Sequence, residues 1–105
     1  MADLKELKTA EYADFTKSGV VVLDFWAPWC GYCVRMMPVF EEIASQLAGK
    51  VNFAKVNSDE ETELARQLSI EVLPTFVIMK DGQVLDRKIG FLPKGDLLAA
   101  IEAHL

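Results

Sequence analysis

Histidine occurs once in this sequence and cysteine only twice. Three such side chains fall short of the four nitrogen or sulfur ligands of a structural zinc site, so a metal centre within one chain is not expected. A metal shared between two chains is the alternative that composition leaves open. Long apolar runs are missing too: none approaches the ~20 residues of a membrane-spanning helix. Nor is there an excess of positive charge. The 16 Asp and Glu outnumber 11 Lys and Arg, giving a net charge of −5, which argues against nucleic acid or an anionic membrane as main partner. Residues 1–8 mix charges and lack the apolar core of a signal peptide. A cytoplasmic location is therefore expected, where reducing conditions disfavour a structural disulfide and favour a catalytic one.

What is present is enough apolar material for a core. Hydrophobic residues make up 51% of 105 positions, which fits one domain spanning 1–105 and excludes disorder. Repeats, low-complexity tracts and linker-like stretches are absent. Apolar periodicity alternates between strand-like and helix-like segments, which reads as α/β. Residues 3–8 form a weak edge strand, and Thr9 to Ser18 a short helix stopped by Gly19. Residues 20–27 are apolar on both faces, as in a central parallel strand. A helix follows with Met36, Met37, Phe40, Ile43, Ala44 and Leu47 on one face, kinked at Pro38 and stopped at Gly49.

Val51 to Asn57 is a second central strand. Ser58-Asp59-Glu60-Glu61 has the form of a capping box and opens a helix through Leu64, Ala65 and Leu68. Thr75 to Met79 and Val84 to Ile89 flank Asp81-Gly82, a hairpin signal. Pro93 starts a last amphipathic helix carrying Leu97, Leu98, Ile101 and Leu105, with His104 as a solvated contact near its end. The order is β-α-β-α-β-α-β-β-α, a mixed sheet with helices on both faces.

The two cysteines stand three apart in Trp29-Cys30-Gly31-Tyr32-Cys33, where the first central strand turns into a helix. Residues i and i+3 of a first helical turn lie about 5–6 Å apart, so a disulfide closes with little backbone movement. The helix N-terminus stabilises a thiolate over a thiol. Cys30, in the turn, is expected to expose its sulfur and act as nucleophile. Cys33, one turn in and more buried, resolves the mixed disulfide. The plain alternative is a pair of small apolar core residues.

Asp24 interrupts an otherwise apolar strand, and a buried charge needs a reason. One reading is a desolvated carboxyl of raised pKa that moves protons to and from Cys33 through a water. The other is an Asp that bonds a turn or caps a neighbour. Lys55, on the next strand, is placed to pair with Asp24 or to extend towards solvent. Pro74 precedes an apolar strand and, by itself, reads as a strand-entry proline.

Taken together, the run Asp24-Phe25-Trp26-Ala27-Pro28-Trp29-Cys30-Gly31-Tyr32-Cys33, Pro38, Lys55, Leu73-Pro74-Thr75, Lys80-Asp81-Gly82 and Ile89-Gly90 resembles the thioredoxin family along almost the whole chain. The resemblance implies a five-stranded sheet in order 1-3-2-4-5 flanked by four helices. It implies a redox-active Cys30–Cys33 disulfide with no bound cofactor, Asp24 as the buried carboxyl and Lys55 as its neighbour. It also implies a cis Pro74 that faces Cys30 and lets the adjoining backbone pair with the substrate chain. Trp29, Gly31, Tyr32, Val72, Leu73, Gly90 and Phe91 would form the substrate face.

The activity implied is reduction of protein disulfides by a monomer that a thioredoxin-reductase-type donor recharges. The same site run as a disulfide oxidase or isomerase is an alternative, and a docking module without catalysis is another. The chain departs from the family pattern at three places: Tyr32 replaces a proline, Val34 a basic residue, and Glu71-Val72 a basic-then-Gly pair. Unlike proline, Tyr32 has a backbone N–H, which is expected near the Cys30 sulfur and would make the protein more oxidising than its Tyr32→Pro variant.

Overall fold

A computed structural model of the protein describes residues 4–105. Strand β1 covers Lys5–Glu6, and a 3-10 turn at Thr9–Glu11 leads into helix α1, Tyr12–Thr16. There follow β2 (Val20–Trp26), α2 (Gly31–Gln46), β3 (Val51–Asn57) and α3 (Thr62–Gln67), then β4 (Thr75–Lys80), β5 (Gln83–Ile89) and α4 (Lys94–Glu102). The five strands make one sheet in the order β1-β3-β2-β4-β5. β3 runs parallel to β1 and β2, whereas β4 runs antiparallel to β2 and β5. Both the order and the four helices are those the resemblance implied.

β2 is buried along six of its seven residues because it lies mid-sheet with a helical layer on each side, the environment that selects β-branched runs. Strand alternation divides its side chains. Val20 and Val22 join Met36, Phe40 and Ile43 of α2 and Leu97 and Ile101 of α4. Val21, Leu23 and Phe25 pack on the other face against Leu64 and Leu68. Asp24 alternates onto the face that α2 and α4 cover. The hairpin turn uses Asp81 and Gly82 with φ of 50° and 83°, the left-handed pair that a two-residue type I′ turn requires. Asp81 and Gly19 clasp each other: Asp81 N donates to Gly19 O at 3.0 Å, and Gly19 N to Asp81 Oδ1 at 2.8 Å.

Several expectations are corrected. The first strand is two residues long within the expected span 3–8, whose Asp3 lies outside the described residues. The first helix opens as a 3-10 turn and ends at Thr16, short of Ser18. The Ser58–Glu61 capping box does not form, and α3 starts at Thr62. Asn57 organises that turn instead, its Oδ1 accepting from Asp59 N at 3.0 Å and Glu60 N at 3.4 Å, a local turn that competes with a helix cap. Glu61 is drawn away to Thr9, accepting from its N at 2.9 Å and its Oγ1 at 3.0 Å.

Leu68 lies just past α3, and the chain leaves through a Schellman ending. Ser69 N donates to Arg66 O at 3.0 Å, Ile70 N to Ala65 O at 2.9 Å, and Ser69 has φ 56°. α2 continues through Pro38 as one helix. α4 ends at Glu102, leaving Leu105 exposed and the His104 Nε2 3.8 Å from the Asp86 carboxylate.

Candidate active site

The end of β2 delivers the chain into a short turn, and α2 begins at Gly31 with Cys30 as its N-cap. Cys30 and Cys33 are joined by a disulfide with Cα atoms 5.2 Å apart, within the spacing read from the sequence. The Cys33 N–H donates to the Cys30 Sγ at 3.2 Å. A cap normally supplies an oxygen to the first orphan donors of a helix; here sulfur takes that place. The arrangement aims an amide dipole and the helix N-terminus at one sulfur, which favours a thiolate there once the disulfide is reduced.

Accessibility differs from expectation. Cys30 is buried, with 7% exposure, and Cys33 has 0%. The outer and inner ranking stands, but the outer residue is itself buried. Tyr32 does not supply the expected donor: among the described residues the hydrogen bond to the sulfur comes from Cys33. The Tyr32 ring instead packs on Phe91, centroids 5.9 Å apart, with the Arg35 guanidinium 5.6 Å from its centre.

Pro74 is cis and buried. It precedes Thr75, which pairs with Phe25 one residue before the end of β2, so it lies at the end of the sheet from which the Cys30–Cys33 turn leaves. Pro74 O accepts from Gly90 N at 2.8 Å, and Gly90 holds φ 86°, a conformation suited to glycine. The Thr75 hydroxyl bonds back to Val72 O. Trp29, Tyr32, Val72 and Phe91 are exposed, Trp29 at 70%. Trp29 and Leu73 share a groove of about 450 Å³ with Ser58, Asp59, Arg66 and Glu71. The Trp29 Nε1 donates to both Asp59 oxygens, at 3.0 and 3.2 Å. Gly31, at the start of α2, is exposed and has open space where a Cβ would be.

Asp24 has 0% exposure, and among the described residues neither carboxyl oxygen has a hydrogen-bond partner. Burial pushes its pKa up to about 8, against the smaller opposing pull of Lys55 and with a small push from Glu6. The alternative reading, an Asp bonded to a turn or cap, is thereby excluded. Lys55 is its neighbour in register on β3, yet the two do not pair. The Lys55 Nζ lies 5.4 Å from the centre of the Trp26 ring, a cation–π contact that keeps the ammonium near solvent.

Sequence reasoning missed Asp59, which fixes Trp29, and Glu6, whose Oε2 accepts from Trp26 Nε1 at 3.4 Å. Neither has a local signal; both are found only once the strands and turns are assembled. Among the described residues no group of three His, Cys, Asp or Glu is placed to hold a metal ion.

The sequence model of a family described as Thioredoxin matches residues 3–103. A thioredoxin of Staphylococcus saprophyticus is 41% identical over 96 residues, covering 91% of this chain and 92% of that protein. Thioredoxin 1 of a Nostoc species is 47% identical over 85 residues, 81% of this chain and 79% of its own. The crystal structure of Malassezia sympodialis thioredoxin, Mala s 13, superposes with a TM-score of 0.88 at 39% identity, covering 99% of this chain and 92% of that one.

Proposed function

The chain belongs to the thioredoxin family of thiol–disulfide oxidoreductases, and on that premise we propose that it is a protein-disulfide reductase with Cys30 as nucleophile. The Cys30 thiolate attacks one sulfur of a substrate disulfide. A mixed disulfide forms, and the substrate's other sulfur leaves as a thiolate that takes up a proton. Cys33 then loses its proton through a water to the carboxylate form of Asp24, and its thiolate attacks the Cys30 sulfur. The Cys30–Cys33 bond closes as the Cys30–substrate bond breaks, and the departing second thiolate takes up the proton that Asp24 returns through the water. Two electrons and two protons pass to the substrate in all. A thioredoxin-reductase-type donor restores the dithiol.

The observation that carries this reading is the ordering of depth around one disulfide. Cys30 is 7% exposed and follows the exposed Trp29, whereas Cys33 and Asp24 are fully enclosed. The outer sulfur meets a partner, and the inner groups exchange protons away from bulk water. The cis Pro74 and the adjoining Leu73 backbone would pair with an extended substrate segment, as β-strand addition does elsewhere. We assign the protein to the cytoplasm, acting as a monomer, because a reductant must itself be kept reduced.

Insulin-disulfide reduction driven by dithiothreitol tests the reading. The protein should accelerate it, and Cys30→Ser should abolish the acceleration. A Cys30→Ser protein that retained full cellular function would show a docking module instead.

A further inference from the structure

A row of charged side chains crosses the sheet beneath α2. Register sets Glu6 of β1 beside Lys55 of β3, and Lys55 beside Asp24 of β2. Phe76 of β4 continues the row. Lys55 therefore has a carboxyl on either side, yet among the described residues it forms an ion pair with neither. Its ammonium lies over the Trp26 ring, and the Trp26 indole N–H is held by Glu6 at 3.4 Å. Trp26 is thus a shared seat: Glu6 grips its edge and Lys55 covers its face.

We propose that Glu6 is a positioning residue for disulfide exchange, which, by holding Trp26 as the seat of the Lys55 ammonium, keeps Asp24 free of an ion pair and so sets the pH at which its carboxylate takes the Cys33 proton. This rests on the reading in which Asp24 accepts the Cys33 proton. An ammonium turned fully onto Asp24 would stabilise the carboxylate and leave it a weaker base at working pH. The charges that bear on Asp24 are Lys55, which favours ionisation, and Glu6, which opposes it. From α2 the only titratable group on the buried face is Cys33, held in the disulfide; α4 contributes Leu97 and Ile101. Lys8 is a further cation near Glu6, and it is fully exposed, so water screens it.

Glu6→Gln tests this, because the amide keeps an oxygen for the Trp26 N–H and removes only the charge. The Asp24 carboxyl is titrated by carbon-13 NMR in the oxidised protein, where neither cysteine ionises. Its midpoint should move to lower pH by about half a unit or more, and the shift should shrink in a Lys55→Met background. In the reduced protein, the pH profile of disulfide exchange should move in the same direction. An unmoved titration overturns the inference. So does a moved titration with an unmoved exchange profile, if Asp24→Asn slows exchange. If Asp24→Asn does not slow exchange, the proton-transfer reading has failed, and the inference falls with it.

Discussion

Asp24 and Lys55 are neighbours in register on adjacent strands, yet the lysine rests on the Trp26 ring and, among the described residues, the carboxyl has no hydrogen-bond partner. The pairing that would relieve the cost of burying a carboxylate is thus withheld, and folding instead favours the protonated acid. The arrangement sacrifices stability at neutral pH for a buried acid that can give and take a proton.

Asp24→Asn makes that cost measurable. The folded pKa is raised to about 8 by burial, and the unfolded value is near 3.9. Below the unfolded value both states are protonated and ionisation carries no penalty. As pH rises from there, the unfolded state ionises first and stability falls, levelling off once pH passes the folded value. The Asn variant should therefore be more stable than the parent at pH 8 by several kcal/mol, on the order of 5, and show little of that gain at pH 4. Urea midpoints of both oxidised proteins at both pH values check it. Equal midpoints at pH 8 would mean a carboxylate that is solvated or paired.

The depth difference between the two sulfurs predicts an asymmetry in trapping. Cys33→Ser should accumulate mixed disulfides at Cys30, since nothing remains to resolve them. Cys30→Ser should accumulate almost none, because Cys33 is enclosed. Non-reducing gels of protein captured on a disulfide substrate give the answer. Equal capture by the two variants would reverse the assignment of nucleophile.

Trp29 is held at the surface by Asp59, and the bond fixes how the indole meets a partner. Asp59→Ala should raise KM for a protein disulfide about fivefold, equivalent to ~1 kcal/mol. The rate with a small aromatic disulfide, which needs no such surface, should stay close to that of the parent. A parallel loss with both substrates would locate the effect at the sulfurs rather than at docking.

Ser69 occupies the left-handed position that ends α3, with φ 56°, where glycine is the usual residue. Ser69→Gly should stabilise the protein by about 0.5–1 kcal/mol, the relief of the left-handed penalty less the added freedom of the unfolded chain. Thermal or urea unfolding reads it directly. Disulfide exchange should be unchanged, as Ser69 lies outside the site. A loss of stability would show that the serine side chain contributes something its backbone does not reveal.

The parts legible in the sequence are those that depend on near neighbours. The Cys30–Cys33 spacing fixes both sulfurs on one helical turn. The apolar run of β2 announces a central strand, and Asp81-Gly82 announces a type I′ hairpin. What misled are features decided at long range. Glu61 looks like a capping residue in its own tetrapeptide, but its partner is Thr9, 52 positions away. Lys55 looks like an ion-pair partner for Asp24, but the competing ring of Trp26 is visible only when β2 and β3 are aligned. The Cys30 turn reads as open from its sequence, yet Cys30 is buried. Glu6 carries no signal at all, since a strand of two residues has too few positions to show a pattern.

Two unlike surroundings meet at the one disulfide. Its outer side is a surface of exposed rings and loops, where a substitution alters whom the protein meets. Its inner side is sealed beneath α2, where a substitution alters the acidity at which electrons are passed on. Because the strand-to-helix turn separates the two, partner choice and working pH can drift independently in related chains. A lineage could acquire new clients through Glu71 or Tyr32 without retuning Asp24, or adapt to a different internal pH through Glu6 without losing its clients.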